Sequence, residues 1–128
     1  MQNRAKAELK KAVVESVHID IDPDYDRTDN CTLKVTGKAE LRTPKEENDP
    51  TFLLVLTMDI VSEKQPSEVN IKIVTTFCFE LDQLVDDYDS VVRDQCLSVI
   101  QNWQKKVANK LIADMGYPEM FLEVEDEA

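Results

Sequence analysis

Glycine and histidine are scarce in this 128-residue chain, with two of the first and one of the second. Gly37 and Gly116 are too few and too far apart to build a P-loop or any other glycine-rich phosphate cradle. His18 stands alone, which excludes a multi-histidine metal site and a relay through a second imidazole. No run approaches the ~18 apolar residues of a membrane span. The start, Met1-Gln2-Asn3-Arg4-Ala5-Lys6-Ala7-Glu8, lacks the apolar core of a signal peptide, so the expected location is the cytoplasm. Three cysteines without a CxxC pair fit that reducing compartment, where the sequon Asn30-Cys31-Thr32 is inert. Positive charge is also short: 15 Lys and Arg against 26 Asp and Glu give a net charge of −11. That argues against nucleic acid and anionic membranes as partners, since phosphates must be met by cations. It permits a basic partner or a cationic unfolded chain, and solubility is its simplest consequence.

Against these absences stands one uninterrupted stretch, residues 89–115, free of Pro and Gly and followed by Gly116-Tyr117-Pro118. Val92, Cys96, Val99, Ile100, Trp103, Val107, Leu111, Ile112 and Met115 recur at helical spacing. Asp89 or Ser90 can cap the start, and Gly116 with Pro118 can end it. At 100° per residue the first half of this set centres roughly 90° from the second. A straight helix of about 40 Å would also outrun a domain with a radius of gyration near ~14 Å. Hence a break or kink is expected between residues 100 and 104, or two helices.

Before it, four stretches alternate. Residues 12–22 put Val13, Val17, Ile19 and Ile21 mostly on one face; residues 31–41 put Cys31, Leu33, Val35, Gly37, Ala39 and Leu41 on one face. In the latter, small Gly37 and Ala39 leave room for something bulky. Residues 52–61 and 69–81 give two more strands, with Phe52, Leu54, Leu56, Met58 and Ile60 facing inward in one, and Val69, Ile71, Ile73, Phe77, Phe79 and Leu81 in the other. Short connections imply a four-stranded antiparallel meander, and strands followed by helix imply an α+β domain spanning residues 1–128, with 1–11 and 125–128 as loosely attached ends. Helices cover one sheet face only. The other still presents Val14, Leu53, Val55, Val74 and Cys78, a surplus expected to form a homodimer or higher oligomer there or at a strand edge.

No catalytic constellation emerges, so the chain is not expected to be an enzyme, and no metal or other cofactor is implied. Asp20, Asp22, Asp24, Asp26 and Asp29 have calcium-loop spacing, but Tyr25 stands at the required glycine and Cys31 at the terminal glutamate. A solvated strand end is the better reading. Cys31, Cys78 and Cys96 with His18 have the ligand types for zinc, yet they sit on strand and helix apolar patterns, as buried free thiols do. Tyr88, Trp103, Tyr117, Met120 and Phe121 gather around the helix ends. They are core first, and as a groove lining they would suit apolar peptide segments.

Several of these stretches resemble SecB, the bacterial export chaperone: Phe79-Glu80-Leu81, Cys96-Leu97-Ser98-Val99-Ile100, Trp103 through Ile112, and Gly116-Tyr117-Pro118-Glu119-Met120-Phe121-Leu122. Similarity extends further to a small group of uncharacterised bacterial proteins with the SecB-like fold. The resemblance implies a tetramer built as a dimer of dimers, with grooves between helix and sheet that hold unfolded or extended polypeptide without ATP. SecB has a proline where this chain has Asn102. An acidic position that the family uses to dock the SecA ATPase falls on Lys72, and glycines of the family fall on Thr76 and Phe77, which argues against export docking. The expected function is an ATP-independent, holdase-type polypeptide-binding protein. The alternative is an adaptor with one specific folded partner and no general chaperone activity.

Overall fold

The computed structural model describes residues 5–22, 33–44, 46, 49–62, 69–85 and 87–114. Four strands, β1 (Ala7–Ile21), β2 (Leu33–Arg42), β3 (Thr51–Ser62) and β4 (Val69–Leu81), form one antiparallel sheet. A helical segment follows: α1 (Tyr88–Val91), a π-helical turn (Val92–Cys96) and α2 (Leu97–Asp114). This is the α+β architecture read from the sequence. β2, β3 and β4 run as a meander, but the spatial order is β1-β4-β3-β2. β1 pairs with β4, not β2. With residues 22–32 between them in sequence, β1 and β2 lie at opposite edges of the sheet, a Greek-key order.

β3 and β4 alternate because one face is packed and the other is not. Phe52, Leu54, Leu56, Met58 and Ile60 are buried, and so are Val69, Ile71, Ile73, Phe77, Phe79 and Leu81. Phe52 stacks on Phe79 with ring centroids 5.5 Å apart. The helix answers with residues four apart: Val92, Cys96, Ile100, Gln104, Ala108 and Ile112 are all buried. A row spaced by four drifts about 40° per step around an α-helix. That drift resolves the two phases seen in the sequence. The expected break between residues 100 and 104 is not found; α2 runs through Asn102, and the irregularity lies earlier, where the Leu97 amide donates to the Val92 carbonyl five residues back. Such insertions often mark functional positions. The start also lies earlier than read: the Asp87 carboxylate accepts from the Ser90 amide at 3.3 Å, capping α1 ahead of Asp89.

Two apolar clusters make the core. One holds Phe52, Leu54, Leu56, Phe77 and Phe79 under Cys96 and Ile100; the other holds Met58, Ile60, Ile71 and Ile73 under Ala108 and Ile112. Gln104 and Thr75, both fully buried, lie between them. The Gln104 amide donates to the carbonyls of Leu56 at 3.3 Å and Ile73 at 3.0 Å, tying the helix to both central strands. Gln104 Oε1 and Thr75 Oγ1 have no partner among the described residues.

β1 starts at Ala7, so residues 7–11 belong to the sheet and are not a loose end. Side chains from the π turn and from the end of β4 hold its start. Gln95 acts as a surrogate peptide, accepting from the Ala7 amide at 2.9 Å and donating to the Ala5 carbonyl at 2.6 Å. Asp82 accepts from the Lys6 amide at 2.7 Å. Between β2 and β3, the Thr51 amide and hydroxyl both donate to the Asp49 carboxylate, at 2.9 and 2.6 Å, which lowers the Asp49 pKa.

Candidate functional site: a groove between β2 and the helix

Residues directly opposite each other in a sheet share a face. Gly37, Ala39 and Leu41 stand opposite Met58, Leu56 and Leu54, so they belong to the helix side. Two of the three are too small to reach the helix. The result is a groove of about 340 Å³, at the lower end of the ~300–1,000 Å³ usual for ligand sites. Its floor is Leu54 and Leu56, its β2 wall Gly37, Ala39 and Leu41. The opposite wall is Val92 from the π turn with Leu97 and Gln101 from α2, and Asp89 stands at the rim.

Gly37 serves space, not backbone conformation. A Cβ built there would meet Leu56 Cδ1 at 3.6 Å, an ordinary contact. The groove is therefore open because side chains are missing from β2, while its walls remain apolar. Asp89 and Gln101 are the polar groups of its lining. Chemically it can take apolar side chains from a segment lying beside β2, which is an edge strand among the described residues.

The residues singled out from sequence lie elsewhere or outside the described residues. Tyr88 is half-buried with its ring edge against Phe52, centroids 5.6 Å apart. Trp103 is half-buried against Phe77 at 5.2 Å. Neither lines the groove. Tyr117, Met120 and Phe121 lie outside the described residues, as do Cys31 and the connection from Pro23 to Asn30. The groove residues were missed as a site because Gly37 and Ala39 read only as gaps in a strand pattern; their partner wall is not visible until the helix is in place.

On the sheet face away from the helix, Leu53 stands opposite Cys78 and Thr57 opposite Val74, with Val55 between them on β3. All are half-buried, framed by Lys38, Glu40 and Arg42 of β2. Val14 does not belong there. Bulges between Leu9 and Lys11 and between Val14 and Ser16 change the register, so Val14 faces Thr75 on the helix side, and Val13 takes the outer face opposite Thr76. Lys72 lies on that outer face between Asp59 and His18. Cys78 is on the outer face and Cys96 is buried under the helix, so they do not converge with His18 on a metal. Burial pushes the Cys96 thiol up to about 11.

Exposed apolar side chains concentrate on β1: Val13, Val14, Val17 and Ile19 are 37–42% exposed. β1 is an edge strand of 15 residues.

No protein-family model matches the chain, and no curated protein matches it by sequence. Solved structures do match. A SecB-like chaperone of Mycobacterium tuberculosis, Rv1957, in complex with a ChAD peptide from the Rv1956 HigA1 antitoxin, superposes with a TM-score of 0.74 at 7% identity, over 94% of this chain and 91% of that one. The fold is SecB-like. A Streptococcus agalactiae protein of unknown function shares it more loosely, with a TM-score of 0.50 and 11% identity, over 97% of this chain and all of the other. Among the described residues no helix is long and apolar enough to cross a membrane.

Proposed function

We propose that this protein holds extended or unfolded polypeptide segments in the groove between β2 and the helix, as a holdase-type binder that needs no ATP. The observation that carries the reading is the groove itself: apolar on its floor and its β2 wall, with Val92 and Leu97 beside Gln101 opposite, along a strand that is at the sheet edge among the described residues, and given room by the small Gly37 and Ala39. A similar fold in a chaperone solved with a peptide adds support. The net charge of −11 favours clients carrying Lys and Arg, by long-range attraction.

A homo-oligomer, dimer or tetramer, belongs to the same reading. An exposed strand edge with flanking apolar side chains is a template for a second copy, and β1 supplies both. Leu53, Val55, Val74 and Cys78 are a smaller, half-buried patch on the outer face and serve as a second contact.

The test is suppression of aggregation. At stoichiometric ratio the purified protein is expected to keep a thermally unfolding client in solution, and Gly37→Leu, which fills the groove without straining the backbone, is expected to abolish that effect while leaving the circular dichroism unchanged. If the native protein protects no client, or recovers one folded partner in a fixed ratio, the holdase reading is lost and the adaptor stands in its place.

A further inference from the structure

β2 presents two different faces at the border of the groove. Gly37, Ala39 and Leu41 turn to the helix, and the residues between them turn away from it. On that outer side stand Lys34, Lys38 and Arg42, opposite Val61, Thr57 and Leu53 of β3, and all three cations are exposed. Glu40 is the one carboxylate of β2, and it is paired with Arg42 at 3.6 Å. Lys34 and Lys38 have no ion pair among the described residues. Asp59 of β3 lies diagonally between them, but it also stands opposite Lys72 of β4, so a single carboxylate has three ammonium neighbours. A chain of net charge −11 thus sets a positive row beside its groove.

We infer that this row selects what the groove receives: an extended segment laid along the β2 edge, apolar on the side toward the helix and acidic on the side toward Lys34 and Lys38. The inference rests on the groove being a peptide site, and names the class of segment it takes. β2 is an edge strand among the described residues, so a strand can be added there. In an added strand successive side chains alternate in direction. Apolar residues then enter the space left by Gly37 and Ala39, and the residues between them come beside the cations. Lys34 and Lys38 are four residues apart on one strand, ~14 Å, so the matching carboxylates are also four residues apart. Facing side chains of paired strands have Cβ atoms about 5 Å apart, close enough for an ion pair. The same row works against a wrong occupant. A second β2, antiparallel and centred on the first, would set Lys38 against Lys38 and Lys34 against Arg42, and such like-charge pairs keep the edges of identical copies from joining. Net charge acts differently. It draws cationic chains from a distance, whereas the row decides, within a screening length of ~8 Å, which of their segments settle.

The test sets the local row against the net charge. Two fluorescein-labelled peptides are compared, Glu-Leu-Ser-Leu-Glu-Leu-Ser-Leu and the same sequence with Lys in place of Glu. At about 50 mM salt the native protein is expected to bind the Glu peptide about fivefold more tightly, with the difference shrinking at about 0.5 M salt. Lys34→Glu with Lys38→Glu is expected to reverse the order at unchanged circular dichroism. Equal binding of the two peptides by the native protein, or tighter binding of the Lys peptide as net charge alone would give, overturns the inference and leaves the lysines as guards of the edge. A preference for the Glu peptide that survives the double substitution overturns it as well. If the native protein binds neither peptide, the inference falls; the groove reading falls with it only if a permanently unfolded polypeptide also fails to bind.

Discussion

Cys96 shows how burial at one residue becomes a measurable property of the whole. It is fully enclosed between the helix and the Phe52–Phe79 stack, and its thiol is pushed from an ordinary 9.0 to about 11 because a thiolate there would lose its water. The folded state keeps the proton where the unfolded chain releases it. That stabilisation is complete below the unfolded value and is lost as pH rises through 9 towards 11, a difference of about 3 kcal/mol. Urea titrations across this range are expected to show the loss in the native chain and its absence in Cys96→Ala; parallel curves would contradict it. Gln104 is the second diagnostic residue. Gln104→Ala removes two buried hydrogen bonds and leaves a void between the two halves of the core, so a loss of about 2–4 kcal/mol is expected in chemical unfolding. A loss under ~1 kcal/mol would mean that the partnerless Oε1 already offsets the bonds made by Nε2. Burial of Phe52, Phe77 and Ile100 was legible in the sequence from period alone. That Gln104 joins them was not, because a polar residue on an apolar stripe reveals its role only when the carbonyls of Leu56 and Ile73 are in reach.

At the scale of elements, β3 and β4 were readable almost to the residue, since their alternation is driven by a single covered face. β1 was readable as a strand but not in register or extent. Its two bulges exchange Val14 for Val13 on the outer face, and a bulge is a property of the pairing with β4, not of β1 alone. Its first residues look polar and loose in sequence; they are held by Asp82 and Gln95, 76 and 90 positions away along the chain. Gln95→Ala is therefore expected to raise hydrogen exchange at the Ala7 amide while leaving the centre of β1 protected; exchange unchanged at Ala7 would show that the strand ladder alone suffices. The helix teaches a similar lesson. Its two apolar phases were correctly seen as incompatible with one flat contact, but a buried row spaced by four, fed by a π turn at its start, follows the twisted sheet without a break at Asn102.

For the molecule as a whole, the open edge of β1 and the open groove beside β2 place two different demands on one sheet. In the proposed reading the first pairs with a copy of the same chain and the second receives polypeptide. Val17→Lys places a charge in the exposed apolar row of β1 and is expected to lower the mass by light scattering to that of one 14.7 kDa chain without loss of secondary structure. An unchanged assembly would move the interface to the outer face around Leu53 and Val74. The candidate site was half legible: the gap left by Gly37 and Ala39 could be read from the strand pattern, but the wall formed by Val92, Leu97 and Gln101 depends on where the helix crosses the sheet. The most direct measurement is calorimetric titration of a permanently unfolded polypeptide into the native protein and into Ala39→Phe. The expected result is binding by the native chain and at least tenfold weaker binding by the variant, about 1.4 kcal/mol or more, at equal thermal stability. Equal affinity in both would contradict the assignment of the groove as the place where polypeptide is held.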